Sequence, residues 1–100
     1  MSYEPAALEV ALAAAVGDDP ALVAELRTAF LDSARRHFDA MKRAVSDPEW
    51  QEGALRLKGL AASFGAARLI ELADSAARAP RGDGETLSGI DRALAILRVA

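Results

Sequence analysis

The chain has 100 residues, a formal net charge of −3, no cysteine and a single histidine, His37. Its length predicts one domain, 1–100, with a single modest core. Without cysteine the chain cannot form disulfides, thiolate zinc sites or a cysteine nucleophile, and one histidine is too few for a histidine-rich metal site. The acidic balance gives no electrostatic footprint for nucleic acid. We therefore expect no metal, no cofactor and no nucleic-acid partner.

The first half of the chain predicts two helices. Alanine occupies 24 positions and favours helices because it loses no side-chain entropy in them. The first helix is predicted at 4–15, and Gly17 ends it. Asp19 can cap the second helix, 20–45, with Pro20 in its first turn. The apolar positions of this second helix recur every three or four residues: Val23, Leu26, Phe30, Ala34, Phe38, Met41 and Val45.

The third helix can begin in two ways at the sequence SDPE, 46–49. Ser46 and Glu49 can form a capping box, or Asp47 can be the cap with Pro48 in the first turn. The helix then continues to about Ser63, and Gly65 favours a left-handed stop after it.

Two further helices are predicted at 66–79 and 86–99, separated by the loop sequence PRGDGE. Short loops between long helices indicate antiparallel neighbours. The predicted fold is therefore all-α, an antiparallel four-helix bundle with an additional N-terminal helix as a lid on one end. We expect Phe30, Leu57, Ala61 and Leu94 in its core.

A helical wheel of the third helix separates a core face from an outer face. With Leu57 at the centre of the core face, Leu55 points nearly to the opposite side. Four residues share this outer side with Leu55, namely Gln51, Lys58, Gly59 and Ala62. An apolar side chain surrounded by small residues is typical of a partner-binding patch, although single exposed leucines are also common. A glycine in the middle of a helix costs about 1 kcal/mol relative to alanine, so Gly59 indicates close backbone approach by a neighbouring helix or a partner.

The stretch ALRLKGLAASFGAARL, 54–69, resembles the signature of histidine-containing phosphotransfer (HPt) domains, which reads approximately A-H-x-L-K-G-x-[AS]-x-x-x-G-A-x-x-L. The stretch 18–45 is similar to the long helix that precedes this signature, so the resemblance covers essentially the whole chain. The matching positions are Ala54, Leu57, Lys58, Gly59, Ala61, Gly65, Ala66 and Leu69.

The resemblance implies that Leu55 stands where the family has its phosphorylated histidine. In the family, that histidine takes a phosphoryl group from a receiver-domain aspartate, the lysine offers positive charge to the phosphoryl oxygens, and the glycine makes room for the docking receiver. Leucine has no lone pair to offer, so phosphotransfer at this position is impossible and no catalytic residue is assigned. The wheel of the second helix places His37 at the edge of the core, which favours a structural role over that of a relocated phospho-acceptor.

Three functions remain open. The first is a non-catalytic phosphorelay module that binds a response-regulator receiver domain or a histidine kinase through Gln51, Leu55, Lys58, Gly59 and Ala62. The second is an active phosphotransfer protein that uses His37. The third is a structural bundle without a receiver partner, which forms a weak homodimer through Leu55. A stripe of basic residues on the second helix could face an acidic partner: Arg35, Arg36, Lys42 and Arg43.

The location is expected to be the cytoplasm of a bacterial cell. The apolar stretch 6–16 is too short to span a membrane and is interrupted by Glu9. No basic residue precedes it, so it does not read as a signal peptide. Some carboxylates resemble metal ligands: Asp18, Asp19, Asp47 and Glu49. The last three are better explained as helix caps and dipole partners.

Overall fold

The computed structural model describes residues 4–17 and 19–99. Within these residues the chain forms five α-helices and no strand, which confirms the all-α prediction. The helices are α1 Glu4–Val16, α2 Pro20–Arg43, α3 Asp47–Ser63, α4 Ala67–Arg78 and α5 Gly84–Val99. None of these helices has the length and the apolar composition that crossing a bilayer requires.

The start of α3 is set by Ser46. The Ser46 hydroxyl accepts a hydrogen bond from the Glu49 N–H at 3.3 Å, while the Glu49 carboxylate accepts one from the Val45 N–H at 2.7 Å. The first bond satisfies a backbone donor that the first turn of α3 leaves unpaired, and the second holds the Val45 N–H of the preceding turn. The Ser46 bond favours Ser46 over Asp47 as the cap. The prediction that Val45 belongs to the apolar face of the preceding helix is wrong. That helix ends at Arg43, and Val45 is 75% exposed in the turn.

The end of α3 is set by Gly65, which has a φ of 64°. The Gly65 N–H donates to the Ala62 carbonyl at 3.2 Å, and the Ala66 N–H donates to the Ala61 carbonyl at 3.0 Å. This pair of bonds is the Schellman motif, and its left-handed residue is favourable only for an amino acid without a Cβ. The helix therefore stops where the sequence predicts.

The core lies between α2, α3, α4 and α5. Contacts join α2 to α3, α3 to α4, α4 to α5 and α5 back to α2, while α1 contacts α2 and α5. The four residues predicted for the core are at most 2% exposed, which confirms them: Phe30, Leu57, Ala61 and Leu94. On α1, Leu8 and Leu12 are buried, and Glu9 forms an ion pair with Arg27 of α2.

Two contacts hold α3 in place against its neighbours. At its N-terminal end, the buried Trp50 indole donates its Nε1–H to the Ala76 carbonyl of α4 at 2.7 Å. At its C-terminal end, the rings of Phe64 and Phe30 of α2 meet edge to face, with their centroids 4.9 Å apart. A buried indole requires a hydrogen-bond acceptor, so the first contact fixes the height of α3 relative to α4.

Candidate functional site

The outer surface of α3 carries the five residues that the sequence predicts for partner binding. We call this set the Leu55 face: Gln51, Leu55, Lys58, Gly59 and Ala62. Leu55 is 55% exposed, and Gln51, Gly59 and Ala62 are exposed beside it. The opposite side of the same helix is buried, so the helical period turns Leu55 away from the core. The structure therefore brings the five predicted residues together on one surface.

The two glycines of α3 differ in what surrounds them. A Cβ on Gly53 would lie 2.7 Å from Met41 Cγ and 3.5 Å from the His37 carbonyl oxygen, so α2 needs the space at this position. A Cβ on Gly59 would meet no atom of another element within 4 Å in the described part of the chain. The Gly59 carbonyl accepts a hydrogen bond from the Ser63 hydroxyl at 3.1 Å. Packing inside the protein explains Gly53 and leaves Gly59 unexplained.

Lys58 forms an ion pair between α3 and α4. Its Nζ lies 2.8 Å from Asp74 Oδ1, and the other Asp74 oxygen lies 2.8 Å from Arg78 Nη1. The hydrogen bonds from Lys58 and Arg78 lower the pKa of the Asp74 carboxyl, in that order of size. Asp74 therefore stays ionised at neutral pH and places a negative charge next to Lys58. The positive charge of Lys58 is therefore already neutralised by Asp74 within the protein.

His37 lies at the edge of the core, on the side of α2 that meets α3. Its side chain is half-buried, and its backbone carbonyl faces Gly53. Burial lowers the pKa of His37, and the charges of Arg56 and Arg36 lower it further. This position agrees with the core-edge prediction. The charge of Arg56, and not that of Lys58, acts on His37. The helical period turns residues 56 and 58 to opposite sides of α3, so His37 and Lys58 lie on different flanks of that helix.

The basic residues of α2 differ in the partners that they contact. Arg35 turns toward α5, where its Nη1 lies 3.0 Å from Asp91 Oδ1. Lys42 pairs with Asp39 at 3.2 Å and lies over the Phe38 ring, with Nζ 4.8 Å from the centroid. Arg36 hydrogen-bonds the Ser33 hydroxyl at 2.9 Å. The helical period places Arg35 with Lys42 in one row and Arg36 with Arg43 in the next, about 100° away. Asp91 and Asp39 already engage the first row, and the use of these residues by an acidic partner stays a prediction.

The carboxylates that resemble metal ligands serve local structure. Asp19 Oδ1 accepts the Ala21 N–H at 2.9 Å as the cap of α2, and Asp47 pairs with Arg81 at 3.4 Å. No group of three or more histidine, cysteine or carboxylate side chains in residues 4–17 and 19–99 is placed to hold a metal ion. Asp18 lies outside the described residues.

Asp74 is the member of this region that sequence reasoning missed. Its spacing of four residues from Arg78 signals an ion pair along α4, but the pair with Lys58 depends on how α3 and α4 are aligned. Comparison of the chain with protein-family models, with curated proteins and with solved structures finds no match.

Proposed function

We propose that the chain is a phosphorelay module of the HPt type that binds a response-regulator receiver domain through the Leu55 face and accepts no phosphate there. In this proposal α2 to α5 form an antiparallel four-helix bundle and α1 covers one end of it. The closed ring of contacts from α2 through α3 and α4 to α5 supports this arrangement. The module acts in a bacterial two-component system in the cytoplasm and is not an enzyme.

Gly59 is the observation that carries the proposal. A glycine inside a helix costs about 1 kcal/mol relative to alanine. At Gly53 this cost is offset by the close passage of α2, whereas no neighbouring helix occupies the space over Gly59. A partner backbone that approaches from outside gives Gly59 a physical reason. The exposed Leu55 beside it supplies an apolar anchor for the same partner.

Docking without transfer follows from the side chain at position 55. A phosphoryl group needs a nucleophile with a free lone pair, and leucine offers none whatever surrounds it. A bound receiver is thus held away from genuine phospho-acceptors, or is brought close to another component of the relay. The half-buried position of His37 supports a structural role for that residue rather than the role of a relocated acceptor.

The test is a binding screen of the purified chain against receiver domains and histidine-kinase domains from the same genome. Gly59→Glu adds bulk and negative charge at the centre of the Leu55 face. Gly84→Glu is the matched control, because a Cβ at Gly84 also meets nothing within 4 Å and Gly84 begins α5, away from α3. Circular dichroism verifies that both variants fold.

We expect at least one receiver to bind the wild type and the Gly84→Glu variant but not the Gly59→Glu variant. Incubation with the phosphorylated receiver should leave no acid-labile phosphate on the wild type. If kinase domains bind and no receiver does, the proposed partner of the Leu55 face becomes a histidine kinase. Failure of every domain to bind, together with a dimer that Leu55→Glu dissociates, would favour the structural bundle instead.

A further inference from the structure

The Leu55 face is bordered by two flanks that differ in charge. On the side of α4 lies a closed network of Lys58, Asp74 and Arg78, in which each carboxylate oxygen of Asp74 binds one cation at 2.8 Å. On the side of α2 lie Arg56 of α3 and Arg36 of α2, whose charges both act on the half-buried His37. We call these two arginines the cationic flank. Leu55 stands on the ridge between the two flanks. A partner seated on Leu55 must therefore extend over at least one of them.

The cationic flank has cations that remain available to a partner. Arg36 is exposed and hydrogen-bonds the neutral Ser33 hydroxyl, and no carboxylate of the described residues forms an ion pair with it. Arg56 is 64% exposed and pairs with Glu52, which is itself 61% exposed, at 2.7 Å. An ion pair this open to water contributes little stability and can exchange partners. By contrast, both oxygens of Asp74 are already occupied on the other flank.

The chain as a whole carries a net charge of −3, so an acidic partner is repelled at long range. Short-range pairing opposes this repulsion, because charges more than about 8 Å apart are largely screened at physiological ionic strength. Two available arginines beside an apolar anchor thus attract carboxylates at one specific place. This local charge gives the docked partner an orientation as well as an affinity.

We propose that the partner of the Leu55 face presents an apolar contact to Leu55 and carboxylates to Arg36 and Arg56, and that it leaves the network of Lys58, Asp74 and Arg78 uncovered. This inference rests on the proposed function and defines the surface chemistry and the orientation of the receiver domain that binds. It excludes a receiver whose docking surface is basic or uncharged.

The test compares three charge reversals that change the net charge equally. Arg36→Glu and Arg56→Glu alter the cationic flank, and Arg92→Glu is the matched control on α5, where Arg92 is exposed. The probe is the unphosphorylated receiver domain that binds the wild type most tightly in the screen above. Its dissociation constant is measured by isothermal titration calorimetry at about 50 mM NaCl, where charges are weakly screened, and at about 500 mM NaCl, where they are strongly screened.

We expect Arg36→Glu and Arg56→Glu each to weaken binding by about tenfold or more at low salt and by less at high salt, whereas Arg92→Glu stays within about threefold of the wild type. Added salt should weaken wild-type binding, although net repulsion between two acidic proteins alone would make it stronger. Equal effects of all three reversals, or no effect of the first two, would overturn the inference. The proposed function would still stand if Gly59→Glu abolishes binding of the same receiver. If no receiver binds the wild type, both fall.

Discussion

Replacing each glycine of α3 by alanine should change stability in opposite directions. At Gly59 the added methyl group enters open space, so only the gain in helix propensity counts, and the free energy of unfolding should rise by about 1 kcal/mol. At Gly53 the same gain is opposed by a Cβ placed 2.7 Å from Met41 Cγ. Met41 is 1% exposed and has little room to move, and overpacking of this kind costs about 1–3 kcal/mol. The two variants should therefore differ by about 1–3 kcal/mol.

Urea denaturation followed by far-ultraviolet circular dichroism measures both free energies, and thermal unfolding provides a second readout. For a domain of this size, about 1 kcal/mol corresponds to a shift in Tm of about 4–8 °C. The Gly59→Ala variant should also bind the receiver more weakly than the wild type while being more stable. A Gly53→Ala variant as stable as Gly59→Ala, or a Gly59→Ala variant less stable than the wild type, would refute the argument from the space around the two glycines.

Three further predictions follow from named contacts. Acidification from about pH 7.5 to about pH 5 should lower the free energy of unfolding, because the folded state lowers the pKa of His37 and the unfolded chain then binds more protons. Urea denaturation measures the change, and the midpoint of the His37→Gln variant should fall less over the same pH range. Trp50→Phe should destabilise the fold by about 1–3 kcal/mol in urea denaturation, since the fold loses the indole hydrogen bond at 2.7 Å and the smaller ring leaves unfilled space at a site that is 1% exposed. Leu55→His should change the free energy of unfolding by less than about 0.5 kcal/mol, because the site is exposed. This variant should acquire acid-labile phosphate from at least one phosphorylated receiver, whereas the wild type should acquire none.

Local signals in the sequence predict the helices well because the bonds that start and stop a helix lie within a few residues. Asp19 caps α2 and Gly65 ends α3, each through contacts with its own neighbours in the chain. The outward direction of Leu55 follows in the same way from the helical period alone. Where the signal is weaker the error is small: α2 ends at Arg43 rather than at residue 45, and α5 begins at Gly84 rather than at residue 86.

Features that depend on how two helices are aligned could not be predicted. The ion pair of Lys58 with Asp74 requires α3 and α4 to meet at one particular height, which the Trp50 hydrogen bond to Ala76 sets. The contrast between Gly53 and Gly59 likewise arises only when α2 lies against one of them. Helix propensity alone assigns the same free-energy cost to both glycines.

The pairing of Lys58 bears directly on what a restored histidine at position 55 could achieve. The resemblance to HPt domains implies that this lysine draws the phosphoryl oxygens of the donor, yet here the Asp74 carboxylate holds its Nζ at 2.8 Å. The lowered pKa of Asp74 keeps that carboxylate charged, so an incoming aspartyl phosphate meets a negative group beside the lysine.

We therefore expect the double variant Leu55→His, Asp74→Asn to accept phosphate faster than Leu55→His alone, because asparagine keeps the shape and removes the charge. Initial rates with one phosphorylated receiver give the comparison, and Asp83→Asn in the Leu55→His background is the control, since Asp83 caps α5 through the Thr86 N–H at 3.0 Å. Equal rates for the two double variants would mean that Lys58 does not govern the approach of the phosphoryl group.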